Sequence, residues 1–264
     1  MHGETVQYPE HFLDRLEAVW GEGFLSPGGA GEVREILRGL EPSGWRILDV
    51  GCGTGGPACV LAGELGAARV LGIDVEPQIL ARAERRIAAA GLEGRIALRL
   101  VTPGPLPFAD GTFDCVFSKD SLIHVADKEG LFREILRVLK PGGVFAASDW
   151  LAGENAAEDP AMRRFLAIEP LDFRLATAAE SEAALRRAGF VRVTSRDRGG
   201  WYAREVRRET ARIEGPLRER VIEMVGEEIY HHWVAVRRAL ADAVRSGALR
   251  PTHLRGFRPA DARG

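Results

Sequence analysis

Short apolar runs alternate with segments of helical spacing along the first half of the chain. The apolar runs have the character of buried parallel strands, and they are WRILDVG, ARVLGIDV, RIALRLV, FDCVFS and VFAASDW. Between them, ACVLAGELG, PQILARAERRIAAAG and DKEGLFREILRVLK have the spacing of amphipathic helices. This order predicts an α/β fold with an open, doubly wound, mainly parallel sheet and helices on both faces.

The second half of the chain is richer in helical spacing. Residues 156–170 and ESEAALRRAGF predict helices, VRVTSR predicts a strand, and GALRPTHLRGFRP predicts a turn and a final edge strand. With the five earlier runs, these strands predict a seven-stranded Rossmann-like sheet. No repeat or low-complexity linker interrupts the chain, so we expect one domain. Its parts are an N-terminal helical arm, a core, and a helical cap insertion with the closing strands, over residues 1–30, 31–150 and 151–264.

Composition and charge exclude several classes of function. The chain has 264 residues, 45% hydrophobic and 28% charged, and its net charge of −2 gives no basic field to hold nucleic acid. No apolar run is long enough to span a membrane, and the first residues lack the pattern of a secretion signal. Three cysteines without a CxxC pair indicate reduced thiols. The adjacent His231 and His232 point to different faces of a predicted helix, which disfavours a metal site there. We therefore expect a cytoplasmic globular protein without a metal site.

The stretch DVGCGTGG, residues 49–56, carries the candidate chemistry. It follows the first predicted strand and contains G-x-G-x-x-G, and Asp74 follows at the end of the second strand, as in a dinucleotide-binding turn. Asp49, however, stands where a dinucleotide site normally has an apolar residue. A carboxylate attracts a cationic ligand rather than a pyrophosphate. The loop by itself leaves both kinds of ligand open.

Two further stretches in the same order narrow the choice. Together with DVGCGTGG, PLPFADGTFDCVFS and ILRVLKPGG resemble the class I, seven-stranded S-adenosylmethionine (SAM)-dependent methyltransferases over roughly residues 30–150. The resemblance implies that SAM is bound at the glycine loop and leaves as S-adenosylhomocysteine. Asp74 would accept both ribose hydroxyls, and Thr102 stands where the family usually has an acidic residue that contacts adenine. The cofactor-binding residues implied in the core are Asp49, Gly51, Gly53, Gly55, Asp74, Val75, Thr102 and Lys119.

Two other stretches, QYPEHFLDRLEAVWGEGFLSPGG and SKDSLIHVADKEGLF, resemble the phosphoethanolamine N-methyltransferases. The resemblance implies that Tyr8 of the arm meets His124 after the fourth strand, and that this pair closes the site and handles the proton of the substrate amine. It places Asp120 beside that amine, and the arm covers the cofactor with Gln7, Leu25 and Ser26. A simpler alternative remains for each catalytic candidate: His124 caps a helix, Asp120 is a solvated loop residue, and Tyr8 packs the arm.

The substrate side departs from that family. The family binds its phosphate through tyrosines and basic residues after the fifth strand, whereas IEPLDFRLAT here has no tyrosine. A cap with negative charge favours a cationic or zwitterionic substrate over a phosphate. Trp150 stands where a tyrosine would end the fifth strand. The candidate pocket residues are Trp150, Glu169, Phe173 and Arg174.

These residues predict a SAM-dependent methyltransferase that acts on a small polar metabolite, at an amine nitrogen, with Tyr8, His124 and Asp120 around the acceptor. One alternative is S- or O-methylation of a small metabolite with a thioether, thiol or hydroxyl group. Another is a SAM-binding protein without catalysis. The sequence leaves the acceptor molecule and the oligomeric state open.

Overall fold

Seven strands form one sheet, built outward from a central strand in two directions. The computed structural model describes residues 10–169 and 173–261. Its strands are β1 Arg46–Val50, β2 Arg69–Asp74, β3 Ile96–Leu100, β4 Phe113–Lys119, β5 Leu139–Ala152, β6 Val191–Asp197 and β7 Leu249–Phe257. The order is β3-β2-β1-β4-β5-β7-β6. Strands β1 to β5 are parallel, and β7 is antiparallel to both of its neighbours. The predicted doubly wound, mainly parallel α/β fold is confirmed.

Helices follow the strands as the spacing predicts. They are α1 Glu10–Trp20, α2 Gly29–Ile36, α3 Gly56–Cys59, α4 Pro77–Ala89, α5 Lys128–Val138, α6 Pro160–Ile168, α7 Ala178–Ala188, α8 Gly199–Glu214, α9 Arg218–Val225 and α10 Glu227–Ser246. The helix predicted after the glycine loop is a short α-helix, α3, that continues as a π-helical turn, Val60–Glu64. In that turn the N–H of Leu65 donates to the carbonyl of Val60, five residues earlier.

Neighbouring residues of β1 supply apolar side chains to two separate cores, because successive side chains of a strand point to opposite faces. Leu48 belongs to the core that packs against α5 and α7, together with Phe132 and Leu185. Ile47 belongs to the core that packs against α2, α3 and α4, together with Val33. The sheet is therefore covered on both faces, as parallel sheets require.

The cap comes from two separated parts of the chain. Helix α6 follows β5, whereas α8, α9 and α10 lie between β6 and β7. A third apolar core joins α6, α8 and α10, with Phe165, Tyr202 and Leu240. Inside it, the buried Arg237 of α10 donates a hydrogen bond to Glu209 of α8. Helix α1 packs against this cap, since Val19 lies in one cluster with residues of α8, α9 and α10.

A buried ion-pair network anchors α2 to the sheet. Glu32 of α2 accepts a hydrogen bond from Arg198 at 2.7 Å and lies 2.6 Å from the Nε2 of His253 in β7. Burial alone would raise the pKa of Glu32, but the hydrogen bonds to His253 and Arg198 outweigh it and lower the pKa to about 2. Helix α2 is thereby held to β7, the strand between β5 and β6.

The final strand corrects one prediction. We expect an edge strand from the sequence HLRGFRP, but β7 lies between β5 and β6, and β6 is the edge. The polar side chains that suggest an edge have partners inside the protein. His253 meets Glu32, and Arg255 donates to the carbonyl oxygens of Ile36 and Arg38. These contacts make an interior position possible for a strand of this composition.

Candidate active site

The glycine loop joins β1 to α3 at the switch point of the sheet, where β2 and β4 flank β1. Gly51, Gly53 and Gly55 have φ values of 69°, 55° and 88°, a region that favours glycine. A β-carbon on Gly51 would lie 2.4 Å from the side chain of Ser121, and one on Gly53 would lie 3.4 Å from Leu25. The loop is therefore packed closely between the arm and the segment after β4.

Asp74, at the end of β2, is fixed by the backbone around it. Its Oδ2 accepts a hydrogen bond from the N–H of Gly53 at 3.1 Å, and its Oδ1 accepts from Val75 and Glu76 at 2.8 and 3.2 Å. Burial nevertheless raises the pKa of this carboxyl above its ordinary value. A carboxylate has about four acceptor positions, so Asp74 can also accept hydroxyl groups of a ligand beside the loop.

Asp49 is fully buried in β1, and neither of its carboxylate oxygens has a hydrogen-bond partner among the described residues. Burial, and after it the charge of Asp74, raises the pKa of Asp49 to about 8. An unpartnered buried carboxylate is costly unless a cation approaches it. SAM carries an ammonium group, whereas a pyrophosphate would add negative charge. The acceptor groups around the loop therefore fit SAM.

Exposed apolar side chains lie where β2 and β3 end. Val75 is 51% exposed and Leu100 is 53% exposed, so two large apolar side chains are open to solvent at neighbouring strand ends. Thr102 follows β3 and is also exposed. These side chains suit the apolar faces of an adenine ring. Leu100 is not among the cofactor-binding residues predicted from the sequence. Its position at the end of a predicted strand could have indicated it.

Lys119, at the end of β4, connects the arm to the segment that follows. Its buried Nζ donates to the Ser26 hydroxyl at 2.5 Å, to the carbonyl of Pro27 at 2.9 Å and to Asp120 Oδ2 at 2.9 Å. Asp120 has φ 55°, and its Oδ1 accepts from the Ser148 hydroxyl at 2.7 Å. These contacts hold Asp120 in a conformation that non-glycine residues seldom adopt. The Lys119 side chain thus links the arm to Asp120. The sequence did not indicate this role.

His124 closes a 3₁₀ turn, Leu122–His124, which begins two residues after Asp120. The buried Asp149 of β5 supports this turn, since its Oδ1 accepts from the N–H of Ile123 at 3.0 Å. The His124 ring lies 5.8 Å from the ring of Phe173, centroid to centroid. His124 therefore stands at the carboxyl end of β4, on a turn fixed from β5.

A cavity of about 240 Å³ lies between the arm, the ends of β4 and β5, and the cap. Three parts of the chain line it: the arm with Phe12, Arg15, Trp20, Leu25 and Ser26; the strand ends with Asp120, His124 and Trp150; and the cap with Glu169, Phe173, Trp233 and Arg237. Pockets for drug-sized ligands usually exceed about 300 Å³, so this one suits a small metabolite. The glycine loop adjoins it through Leu25, which covers Gly53.

The structure places seven of the predicted site residues in the wall of one cavity. Asp120, His124, Leu25, Ser26, Trp150, Glu169 and Phe173 line the cavity. Arg174 is exposed and does not line it; its N–H donates to the carbonyl of Ile123. Gln7 and Tyr8 lie outside the described residues. Among the described residues, no cluster of histidine, cysteine, aspartate and glutamate has the arrangement of a metal site. No helix in that part of the chain has the length and apolarity to cross a membrane.

Several lining residues are not among those that the sequence analysis predicts for the site. Arg15 belongs to α1, and His232, Trp233 and Arg237 belong to α10. Trp233 lies in the cavity wall and also packs in the apolar cluster that contains Val19 of α1. Arg15 and Arg237 had no sequence signal beyond their charge. Only the packing of α1 against the cap brings them to one cavity.

Comparison with known proteins agrees with this geometry. Residues 48–147 match the model of the methyltransferase domain family. The chain is 31% identical over 213 residues to phosphoethanolamine N-methyltransferase 1 of Arabidopsis thaliana, covering 80% of this chain and 42% of that protein. The chain thus spans less than half the length of this plant relative.

Solved structures show the same fold. Haemonchus contortus phosphoethanolamine N-methyltransferase 2 in complex with SAM has a TM-score of 0.88 and 24% identity, covering 97% of this chain and 59% of that one. A candidate sarcosine dimethylglycine methyltransferase from Galdieria sulphuraria has a TM-score of 0.74 and 21% identity, covering 88% and 84%. The resemblance predicted from the motifs is confirmed. The chain has the fold of these solved methyltransferases, matches the methyltransferase domain model over residues 48–147, and resembles the phosphoethanolamine N-methyltransferases in sequence.

Proposed function

We propose that this protein is a SAM-dependent methyltransferase that methylates a small polar metabolite at an amine nitrogen. The observation that carries the proposal is the cavity beside the glycine loop, with His124 and Asp120 in its wall. The plant relatives named as phosphoethanolamine N-methyltransferases support an amine as the acceptor. The cavity volume supports a small one.

The residues around the glycine loop would hold SAM, which supplies a methyl group on a sulfonium. Asp49 would face its ammonium group, and Asp74 would accept the ribose hydroxyls. Val75 and Leu100 would cover the adenine, with Thr102 beside it. Gln7, Leu25, Ser26 and the Lys119 segment would close the site from the arm side. The arm, residues 1–30, would act as a cover, and the cap within residues 151–264 would supply the substrate pocket.

His124 would act as the base for the acceptor. A protonated amine has no lone pair for attack, so it must lose a proton to a base or to water, and a positioned histidine contributes roughly 10²- to 10⁴-fold. Asp120 would hold the amine or orient His124, and Tyr8 of the arm would complete the group. Because the transfer is a displacement, positioning supplies much of the acceleration.

The test is release of S-adenosylhomocysteine from SAM with single acceptors, with the mass of each product measured. The panel contains phosphoethanolamine, ethanolamine, amino acids, other amines and thioethers. Turnover of amines supports the proposal. Turnover of thioethers alone, with a flat pH–rate profile, would support S-methylation, and SAM binding without any turnover would support a binding protein.

The free thiols are consistent with a reducing compartment. All three cysteines are unpaired, and Cys52 and Cys115 are buried. We place the proposed enzyme in the cytoplasm on this ground. A mass-spectrometric count of free thiols in protein taken directly from cells tests it.

A further inference from the structure

The cavity wall contains a buried cation on the arm. Arg15 of α1 is 7% exposed, and its guanidinium lies between two aromatic rings. The guanidinium carbon is 4.4 Å from the centroid of the Phe12 ring and 4.6 Å from that of Trp233. The Nε of Arg15 is buried and has no hydrogen-bond partner among the described residues. A donor of this kind is costly to bury unless a ligand accepts from it.

The other cations near the cavity are compensated in a different way. The Nε of Arg237 is also buried without a hydrogen-bond partner among the described residues, but its guanidinium donates to the carboxylate of Glu209. Lys119 donates to the carboxylate of Asp120. The charge of Arg15 is instead balanced by the faces of two aromatic rings and by the charge of Glu169. Burial lowers the pKa of Arg15 to about 10, and the charge of Glu169 opposes this shift. The guanidinium therefore stays charged at neutral pH.

The segment after β5 offers little to an anion. Of the predicted pocket residues there, Glu169 and Phe173 line the cavity, whereas Arg174 is exposed on the outside. A carboxylate and a ring do not attract a negative group. An acceptor with an anionic group would therefore find its cation on α1 rather than in this segment.

We propose that Arg15 binds an anionic group of the methyl acceptor, a carboxylate or a phosphate, while the amine of the same molecule lies at His124 and Asp120. This inference rests on the proposed methyltransferase function and names its substrate class as small amines with an anionic end. Arginine suits this role because its planar guanidinium donates two parallel hydrogen bonds to a carboxylate or a phosphate. The aromatic rings hold the guanidinium in one orientation and exclude water from it.

Two variants of Arg15 separate binding from folding. Arg15→Met keeps the apolar stem and removes the charge, and its melting temperature shows whether the fold is kept. Arg15→Lys keeps the charge but loses the planar guanidinium. Arg163→Met is the matched control, because Arg163 is an exposed arginine of α6 outside the cavity wall.

The probes are three amines of similar length: phosphoethanolamine, β-alanine and ethanolamine. Their binding to protein loaded with S-adenosylhomocysteine is measured by calorimetry, and turnover is measured with SAM. We expect the wild type to bind one of the two anionic amines more tightly than ethanolamine, and the preferred one identifies phosphate or carboxylate. Arg15→Met should weaken that binding about 10- to 150-fold, the value of a hydrogen bond to a charged group. Ethanolamine and SAM should bind as before.

Arg15→Lys should recover part of the lost affinity, and Arg163→Met should behave as wild type. Equal binding of all three amines to the wild type would overturn the anion site. So would an equal loss for charged and neutral amines in Arg15→Met. Failure of the methyltransferase function itself would look different, since SAM would then not bind or no amine on the wider panel would be methylated.

Discussion

The carboxylate of Glu17 on α1 accepts a hydrogen bond from the Thr54 hydroxyl of the glycine loop at 2.6 Å. The same Oε1 accepts from the N–H of Gly23 at 3.0 Å and from Arg86 of α4 at 2.9 Å. One carboxylate thus joins the arm, the cofactor loop and the helix after β2. A displacement of the arm must therefore change the loop that we propose to hold SAM.

Gly56→Ala tests this coupling. A β-carbon at Gly56 would lie 2.4 Å from the carbonyl oxygen of Gly23, which accepts the N–H of Gly56 at 3.0 Å. The methyl group should push the arm away, at a cost of about 1–3 kcal/mol, and should weaken SAM binding. Hydrogen exchange over residues 10–28 should become faster, and SAM should slow it less than in the wild type.

The control is Gly63→Ala, where the added carbon would lie 3.6 Å from Leu92, an ordinary contact. It should leave arm exchange and SAM affinity as they are. Unchanged exchange in Gly56→Ala would show that the arm does not depend on this contact.

Asp49→Asn should change both pH-dependent stability and cofactor affinity. The pKa of Asp49 is about 8 in the folded protein, against an ordinary value of 3.8. The folded state therefore keeps a proton that the unfolded state has lost, and stability without ligand falls as the pH rises from about 4 to about 8. Asparagine does not titrate, so the variant should lose this decrease of stability with pH. It also lacks the charge that we expect to face the SAM ammonium.

The measurements are urea unfolding without ligand at several pH values and SAM binding by calorimetry. Asp110→Asn is the control, because Asp110 is an exposed partner of Arg137. A variant that keeps the wild-type pH slope, or that binds SAM equally well, would contradict this account of Asp49.

His124→Ala should reduce turnover roughly 10²- to 10⁴-fold while SAM still binds. Without its base, the variant should need a higher pH, at which a larger fraction of the amine is already neutral. The readout is the pH–rate profile of methyl transfer. His231→Ala is the control, since His231 is exposed on α10 outside the cavity wall. Unchanged turnover in His124→Ala would remove this residue from the mechanism.

Asp149 should act as a positioning residue for His124. Its Oδ1 accepts from the N–H of Ile123, and burial raises its pKa to about 7. Asp149→Ala should lower kcat about tenfold by loosening the turn, whereas Asp149→Asn, which can still accept from Ile123, should keep most of the activity. In a His124→Ala background, Asp149→Ala should have little further effect on kcat. A full additional loss there would mean that Asp149 acts elsewhere.

The parts that could be predicted from the sequence are those set by local pattern. The strands around DVGCGTGG and the glycine turn follow from apolar runs and from residues without a side chain, and both lie where expected. The interior position of β7 could not be predicted, because its polar residues are satisfied by α2, far away in the sequence. Arg15 was missed for the same reason, since its aromatic neighbour Trp233 lies on α10. Such pairs leave no trace in local spacing.

The place of β7 has a consequence for the order in which the chain can assemble. Strands β1 to β5 pair with one another and are made first, so this five-stranded part of the sheet can form during synthesis. Strand β6 meets the sheet only through β7, which is made later and inserts between β5 and β6. Until then β5 has an open edge, which is a hazard for aggregation. Completion of the sheet therefore waits for β7, which pairs with β5 on one side and with β6 on the other.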